Sequence, residues 1–125
     1  MNERPLSPHL LIYRLPLTAL LSITHRITGI ILLAGMILLV VCLMAAAEGA
    51  GPYGSVAALL GSPMGRLFIG CWLYALFFHL CHGIRHLIWD TGHGFGRATL
   101  TRYAWLEIAM SIVLTSLIYA LSLKG

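Results

Sequence analysis

The stretch from Ile27 to Ala47, ITGIILLAGMILLVVCLMAAA, carries no charged residue. A bilayer hydrocarbon core about 30 Å thick is crossed by about 20 apolar residues in an α-helix, so this run alone is long enough to span. Leu67 to Ile84 is likewise uncharged, bounded by Arg66 and Arg85, and continues as an apolar helix toward Trp89. Tyr103 to Leu123 holds one charge, Glu107, near its start. Backbone polar groups facing lipid must be satisfied within the segment. The expected fold is therefore all-α, an integral membrane protein of three transmembrane helices, with spans at about residues 22–47, 65–89 and 103–123 in one domain covering 1–125. The connections, Glu48 to Met64 and Thr91 to Thr101, are rich in Gly and Pro and read as turns.

Composition agrees. The 125 residues are 59% hydrophobic and 10% charged, against about 25% charged in an ordinary soluble domain. Eight basic residues outnumber four acidic ones, yet they form no cluster able to track a phosphate backbone, so nucleic acid is not an expected partner. Cys42, Cys71 and Cys81 lie in apolar runs without a C-x-x-C pair, which suggests neither a disulfide framework nor a thiolate metal site. Without C-x-x-C-H, any haem would be held non-covalently.

The basic residues set the orientation. Arg4, Arg14 and Arg26 flank the start of the first span, and Arg85, Arg97 and Arg102 lie between the second and third, against Arg66 and Lys124 on the other side. The positive-inside rule then places the N-terminus in the cytoplasm and the C-terminus outside. A cleaved signal peptide ending near Ala45-Ala46-Ala47 is the competing reading, but the apolar run exceeds a usual signal core.

Ionisable groups within a span are costly and usually face a cavity, a cofactor or a partner. His79, His82, Gly83 and His86 share one face of the second span at about 100° per residue, and Gly83 should leave a depression beside His79. An imidazole deep in hydrocarbon needs partners for both nitrogens, and iron on one with a hydrogen bond on the other meets that need. His79 is the candidate haem ligand, with Arg85 and His86 at the charged end where propionates would point. No deep histidine occurs in the first or third span, so a bis-histidine haem would take its other ligand from another subunit. The plainer alternative is that His79 bonds a neighbouring helix and Gly83 permits close packing.

Ser22, His25, Arg26 and Gly29 fall together at the start of the first span by the same spacing. A guanidinium there suits a propionate, and with a serine hydroxyl it can hold a quinone carbonyl. Alternatively Arg26 snorkels to lipid phosphate and Ser22 caps the helix. Trp72, Trp89, Trp105, Tyr103 and Tyr119 read mostly as interface anchors, and Asp90 as a helix-end residue paired with a nearby arginine.

Three segments together carry a resemblance: Arg4-Pro5-Leu6-Ser7-Pro8-His9 with Ile12-Tyr13, Ser22-Ile23-Thr24-His25-Arg26-Ile27-Thr28-Gly29, and His79-Leu80-Cys81-His82-Gly83-Ile84-Arg85-His86-Leu87-Ile88-Trp89-Asp90. They resemble the cytochrome b subunits of succinate dehydrogenase, respiratory complex II, over nearly the whole chain. The resemblance implies that His79 is an axial ligand of haem b, the other coming from a second small anchor subunit that completes the bundle. It implies that Ser22 and Arg26 help form a ubiquinone pocket, and that His25, Arg26 and His86 lie near the haem propionates. It gives His82 no role. FAD and iron–sulfur clusters would belong to a flavoprotein and an iron–sulfur subunit, since this chain has no dinucleotide fingerprint and no cysteine cluster. No activity is expected of the chain alone. The implied location is a bacterial inner membrane.

Two other functions compete. A cytochrome b anchor of another dehydrogenase or a hydrogenase often carries two haems and needs more deep histidines. A cofactor-free transporter or assembly protein would be favoured by a fourth span or an essential intramembrane acid, neither of which the sequence is read to contain.

Overall fold

The computed structural model describes residues 14–123 and consists of four helices, with no strand among the described residues. The segment Arg4 to Tyr13 and Lys124 lie outside this range. Helix α1 is Leu17–Glu48, α2 Ala50–Gly61, α3 Pro63–Asp90 and α4 Arg97–Ser122. At 1.5 Å per residue, α1, α3 and α4 are about 48, 42 and 39 Å long, each more than the hydrocarbon thickness. All three are apolar enough to cross a membrane.

The helices outrun the expected spans, above all at their N-termini. α1 begins directly after Pro16, which is extended at φ −64° and ψ 153°, and α4 begins at Arg97 rather than Tyr103. Apolarity marks only the part of a helix in hydrocarbon. Polar residues such as Thr101 and Arg102 continue the same backbone ladder beyond the apolar stretch.

The turn-rich connection from Glu48 to Met64 is also different: most of it is α2. Its Ala and Leu residues favour helix strongly enough to carry Gly51 and Gly54, each costing about 1 kcal/mol. Pro52 lies in the first turn, where its missing N–H would have no intrahelical partner anyway. At about 18 Å, α2 is too short to span, and none of its residues is buried. It sits between the ends of α1 and α3. Gly49 separates it from α1, and Ser62 starts α3 by accepting a hydrogen bond from the Gly65 amide at 3.1 Å, with Pro63 following as the first helical residue.

α3 is central, packing on both α1 and α4. Leu21, Phe78 and Ala104 form the small apolar core that joins the three helices, flanked by Leu17, Tyr74 and Ile108. Trp72 departs from its expected anchoring role. Its indole lies against Gly35 so closely that a Cβ there would collide with it, and small residues at such crossings let membrane helices approach. Trp105, by contrast, is exposed.

Candidate histidine cluster at one end of the bundle

The interior between α1, α3 and α4 is polar toward the ends where α1 and α4 begin and α3 finishes. His25 from α1 stacks on His79 from α3 with ring centroids 3.8 Å apart and planes 18° from parallel. On α3 one turn further, His82 lies 4.4 Å from His25 at 25°. His86 is tilted against His82 at 4.8 Å and 6.0 Å from His25. The three histidines expected on one face of the second span and the one at the start of the first are thus in one cluster.

The bonds at His79 fix its chemistry. Its Nδ1 lies 3.2 Å from the backbone carbonyl of His25 and 3.2 Å from Thr28 Oγ1. Thr28 is buried and its hydroxyl donates to the same carbonyl at 2.8 Å. A carbonyl only accepts, so Nδ1 carries the proton and donates to both oxygens. Nε2 is then a bare lone pair, with no hydrogen-bond partner among the described residues, on a half-buried ring. A histidine held through Nδ1–H to a carbonyl with Nε2 free is oriented as metal-ligating histidines are. Among the described residues no group of three or more His, Cys, Asp or Glu is arranged for a bare metal ion, whereas a porphyrin iron needs only an axial nitrogen from the protein.

The glycines about His79 play separate parts. A Cβ at Gly29 would stand 3.2 Å from His79 Cε1, so Gly29 lets α1 approach the ring. A Cβ at Gly83 would meet nothing within 4 Å, leaving the open space beside the histidine that the sequence suggests.

The face expected to hold Ser22, His25, Arg26 and Gly29 divides. His25 and Gly29 turn toward α3, while Ser22 is half-buried without a side-chain hydrogen bond and Arg26 is exposed without an ion-pair partner among the described residues. Leu21, His25 and Thr28 lie on the inward stripe. Arg26 is one residue, about 100°, beyond His25, which turns its side chain out of the bundle.

The second face of α3 holds the feature least visible in the sequence. His82 is wholly buried, and Arg85 and Glu107 are 3% and 4% exposed. His82 Nδ1 and Glu107 Oε1 are 2.7 Å apart. The carboxylate accepts, so Nδ1 donates to it; Arg85 Nη2 also stands 3.2 Å from Nδ1, a contact between two donors once Nδ1 carries the proton. Arg85 Nη1 pairs with Glu107 Oε2 at 3.0 Å, as an ion pair rather than an aligned hydrogen bond, and the guanidinium also stacks 4.8 Å over Trp89. Arg85 is therefore turned into the α3–α4 contact and does not join exposed His86 at a propionate end. Asp90 is exposed and has no ion pair among the described residues, contrary to the expected pairing. Glu107 is a buried intramembrane acid, which the sequence reading discounts. A lone acid in an apolar run was the signal available, since such a group requires a partner.

Comparison with known proteins bears on the whole arrangement. Residues 1–118 match the family described as succinate dehydrogenase/fumarate reductase transmembrane subunit. The succinate dehydrogenase cytochrome b556 subunit of Paracoccus denitrificans is 40% identical over 116 residues, covering 93% of this chain and 89% of the relative. That of Rickettsia felis is 36% identical over 118 residues, covering 94% and 92%. The cytochrome b560 subunit of Reclinomonas americana is 38% identical over 119 residues, covering 90% and 83%. Three long apolar helices and a match spanning nearly their full length lead to one conclusion: the chain belongs to the family of succinate dehydrogenase and fumarate reductase transmembrane subunits.

Proposed function

We propose that this chain is the haem b-binding membrane-anchor subunit of a bacterial succinate dehydrogenase, contributing part of the ubiquinone-reduction site and a place on the electron path from succinate to quinone. The observation that carries the reading is His79, whose Nδ1–H is bound to the His25 carbonyl and whose Nε2 is free. The relatives' designation as cytochromes b supports it. When bound, the haem supplies a one-electron carrier within the membrane. His79 would hold its iron through Nε2, and His25, Arg26 and His86 would hold its propionates.

Ser22 and Arg26 serve the quinone. A hydroxyl and a guanidinium at the bilayer boundary donate to a carbonyl oxygen and stabilise the negative charge it gains during reduction. Exposure of Arg26 at the basic, cytoplasmic end gives that oxygen a route to protons, of which reduction of the quinone to the quinol consumes two with two electrons.

A second small anchor subunit would supply the other ligand to the iron, and the iron–sulfur and flavoprotein subunits would hold the clusters and FAD. The chain alone has no activity. It lies in the inner membrane with its N-terminus in the cytoplasm, the side that the charge bias selects.

The test is gentle solubilisation and affinity purification, followed by a reduced-minus-oxidised optical spectrum and identification of co-purifying proteins. A b-type band with a flavoprotein, an iron–sulfur protein and a second anchor is expected. A colourless preparation that retains these partners would overturn the haem assignment, and absence of both haem and partners would overturn the whole reading.

A further inference from the structure

The His82, Arg85 and Glu107 cluster has no part in the function just described. It nevertheless accounts for every charged or ionisable side chain buried among the described residues. Replacing a buried ion pair by well-packed apolar residues is often neutral or stabilising, so stability alone does not account for three ionisable side chains between two lipid-embedded helices. What the cluster does geometrically is more telling. Glu107 Oε1 holds His82 Nδ1 at 2.7 Å, and Arg85 Nη1 pairs by charge with the other carboxylate oxygen at 3.0 Å without an aligned hydrogen bond, so the Oε1–Nδ1 bond is what orients the His82 ring. The His82 ring backs onto His25 at 4.4 Å, and the opposite contact of His25 is the His79 ring at 3.8 Å. The His25 carbonyl is also the acceptor for His79 Nδ1.

We propose that Glu107 is a positioning residue for His79: it fixes His82, His82 sets the ring of His25, and His25 sets the plane and tilt of His79. The polar side-chain contacts of Glu107 are to His82 and Arg85, so it acts through them and not on a ligand. It belongs to α4, so the contact chain couples α4 through α3 to α1 and back to the proposed axial ligand. The proposal rests on the haem-ligand reading of His79. The buried Ser111 hydroxyl donates to the Glu107 carbonyl at 2.7 Å in the same turn of α4.

The test uses the complete complex with its native partners and reads the ferric haem by electron paramagnetic resonance, together with haem per complex. Glu107→Leu removes the acceptor and should shift the largest g value, which reports the relative orientation of the axial imidazole planes, and lower haem content. Glu107→Gln keeps an amide oxygen at the same distance from His82 Nδ1 and should restore the wild-type signal, a rescue that mere loss of stability does not give. If Glu107→Leu does not assemble, the apolar pair Arg85→Leu/Glu107→Leu is read in its place, with the same shift expected. Unaltered g values in whichever of the two assembles, or a shift in Glu107→Gln as large as in the leucine variant, overturns the positioning role. Failure of both leucine variants to assemble while Glu107→Gln carries a wild-type signal assigns Glu107 to folding and also overturns it. A wild-type complex without haem would instead sink the ligand reading of His79, so the two failures are distinct.

Discussion

A histidine binds iron only through an unprotonated nitrogen, and at His79 backbone geometry selects which nitrogen that is. The His25 carbonyl accepts a hydrogen bond from Nδ1–H, so the free lone pair is that of Nε2. Gly29 makes this possible by allowing α1 to lie against the ring. Substituting Gly29 by Ala would place a methyl 3.2 Å from His79 Cε1, which a small ring shift can absorb. Gly29→Val cannot be absorbed that way. Haem per complex, measured as the alkaline pyridine derivative, is expected to fall from wild type through Ala to Val, and full haem in Gly29→Val would contradict the packing account. Ser22 acts on a different ligand, the quinone, and Arg26 acts there in addition to its place near the propionates. Ser22→Ala and Arg26→Ala are expected to retain haem but lower succinate–quinone reductase activity by about 10²-fold, the scale for loss of one donor to a developing oxyanion. Parallel loss of haem and activity would remove the separate quinone role of these residues. His79, His82 and His86 are legible on one face because helical period is local. The tautomer of His79 is not, because its partners lie 51 and 54 positions away.

At the level of helices, α3 works as a two-sided spacer, with His79 toward α1 and Arg85 toward α4. The α4 side joins opposite charges where an unpaired one is expensive. Removing one partner of a buried ion pair costs about 3–5 kcal/mol, whereas replacing both with apolar groups is often neutral. Arg85→Leu is therefore expected to destabilise the assembled complex by about that amount, and Arg85→Leu/Glu107→Leu to recover most of it. Thermal unfolding of the four sequences in one detergent checks the cycle. Additive losses would show that the two side chains do not depend on each other. The three long helices were readable from apolar length, since nothing else satisfies backbone groups in lipid. α2 was not, because its Gly and Pro signal turns while helix-favouring Ala and Leu hold the backbone. The partners of Glu107 were hidden too: His82 is 25 positions away on another helix, and no local pattern links them.

For the molecule as a whole, few apolar side chains are buried. Leu21, Ala45, Ala75, Phe78 and Ala104 are, while large residues such as Ile30, Leu33, Ile37, Leu67 and Leu87 point outward. In lipid this costs nothing, and the outward faces are available to acyl chains and to the proposed second anchor. Because α2 is too short to cross, the start of α1 and the end of α4 lie on opposite sides. A reporter fused after Gly125 should accordingly be active as alkaline phosphatase and dark as a fluorescent protein, and the reverse would invert the orientation. The central claim, that His79 Nε2 binds haem iron, is tested most directly by optical and electron paramagnetic resonance spectra of the purified complex carrying His79→Ala. The expected result is loss of the b-type haem, or conversion to a differently ligated form, with the other subunits still bound. A haem spectrum identical to wild type would contradict the assignment and move the ligand to another residue.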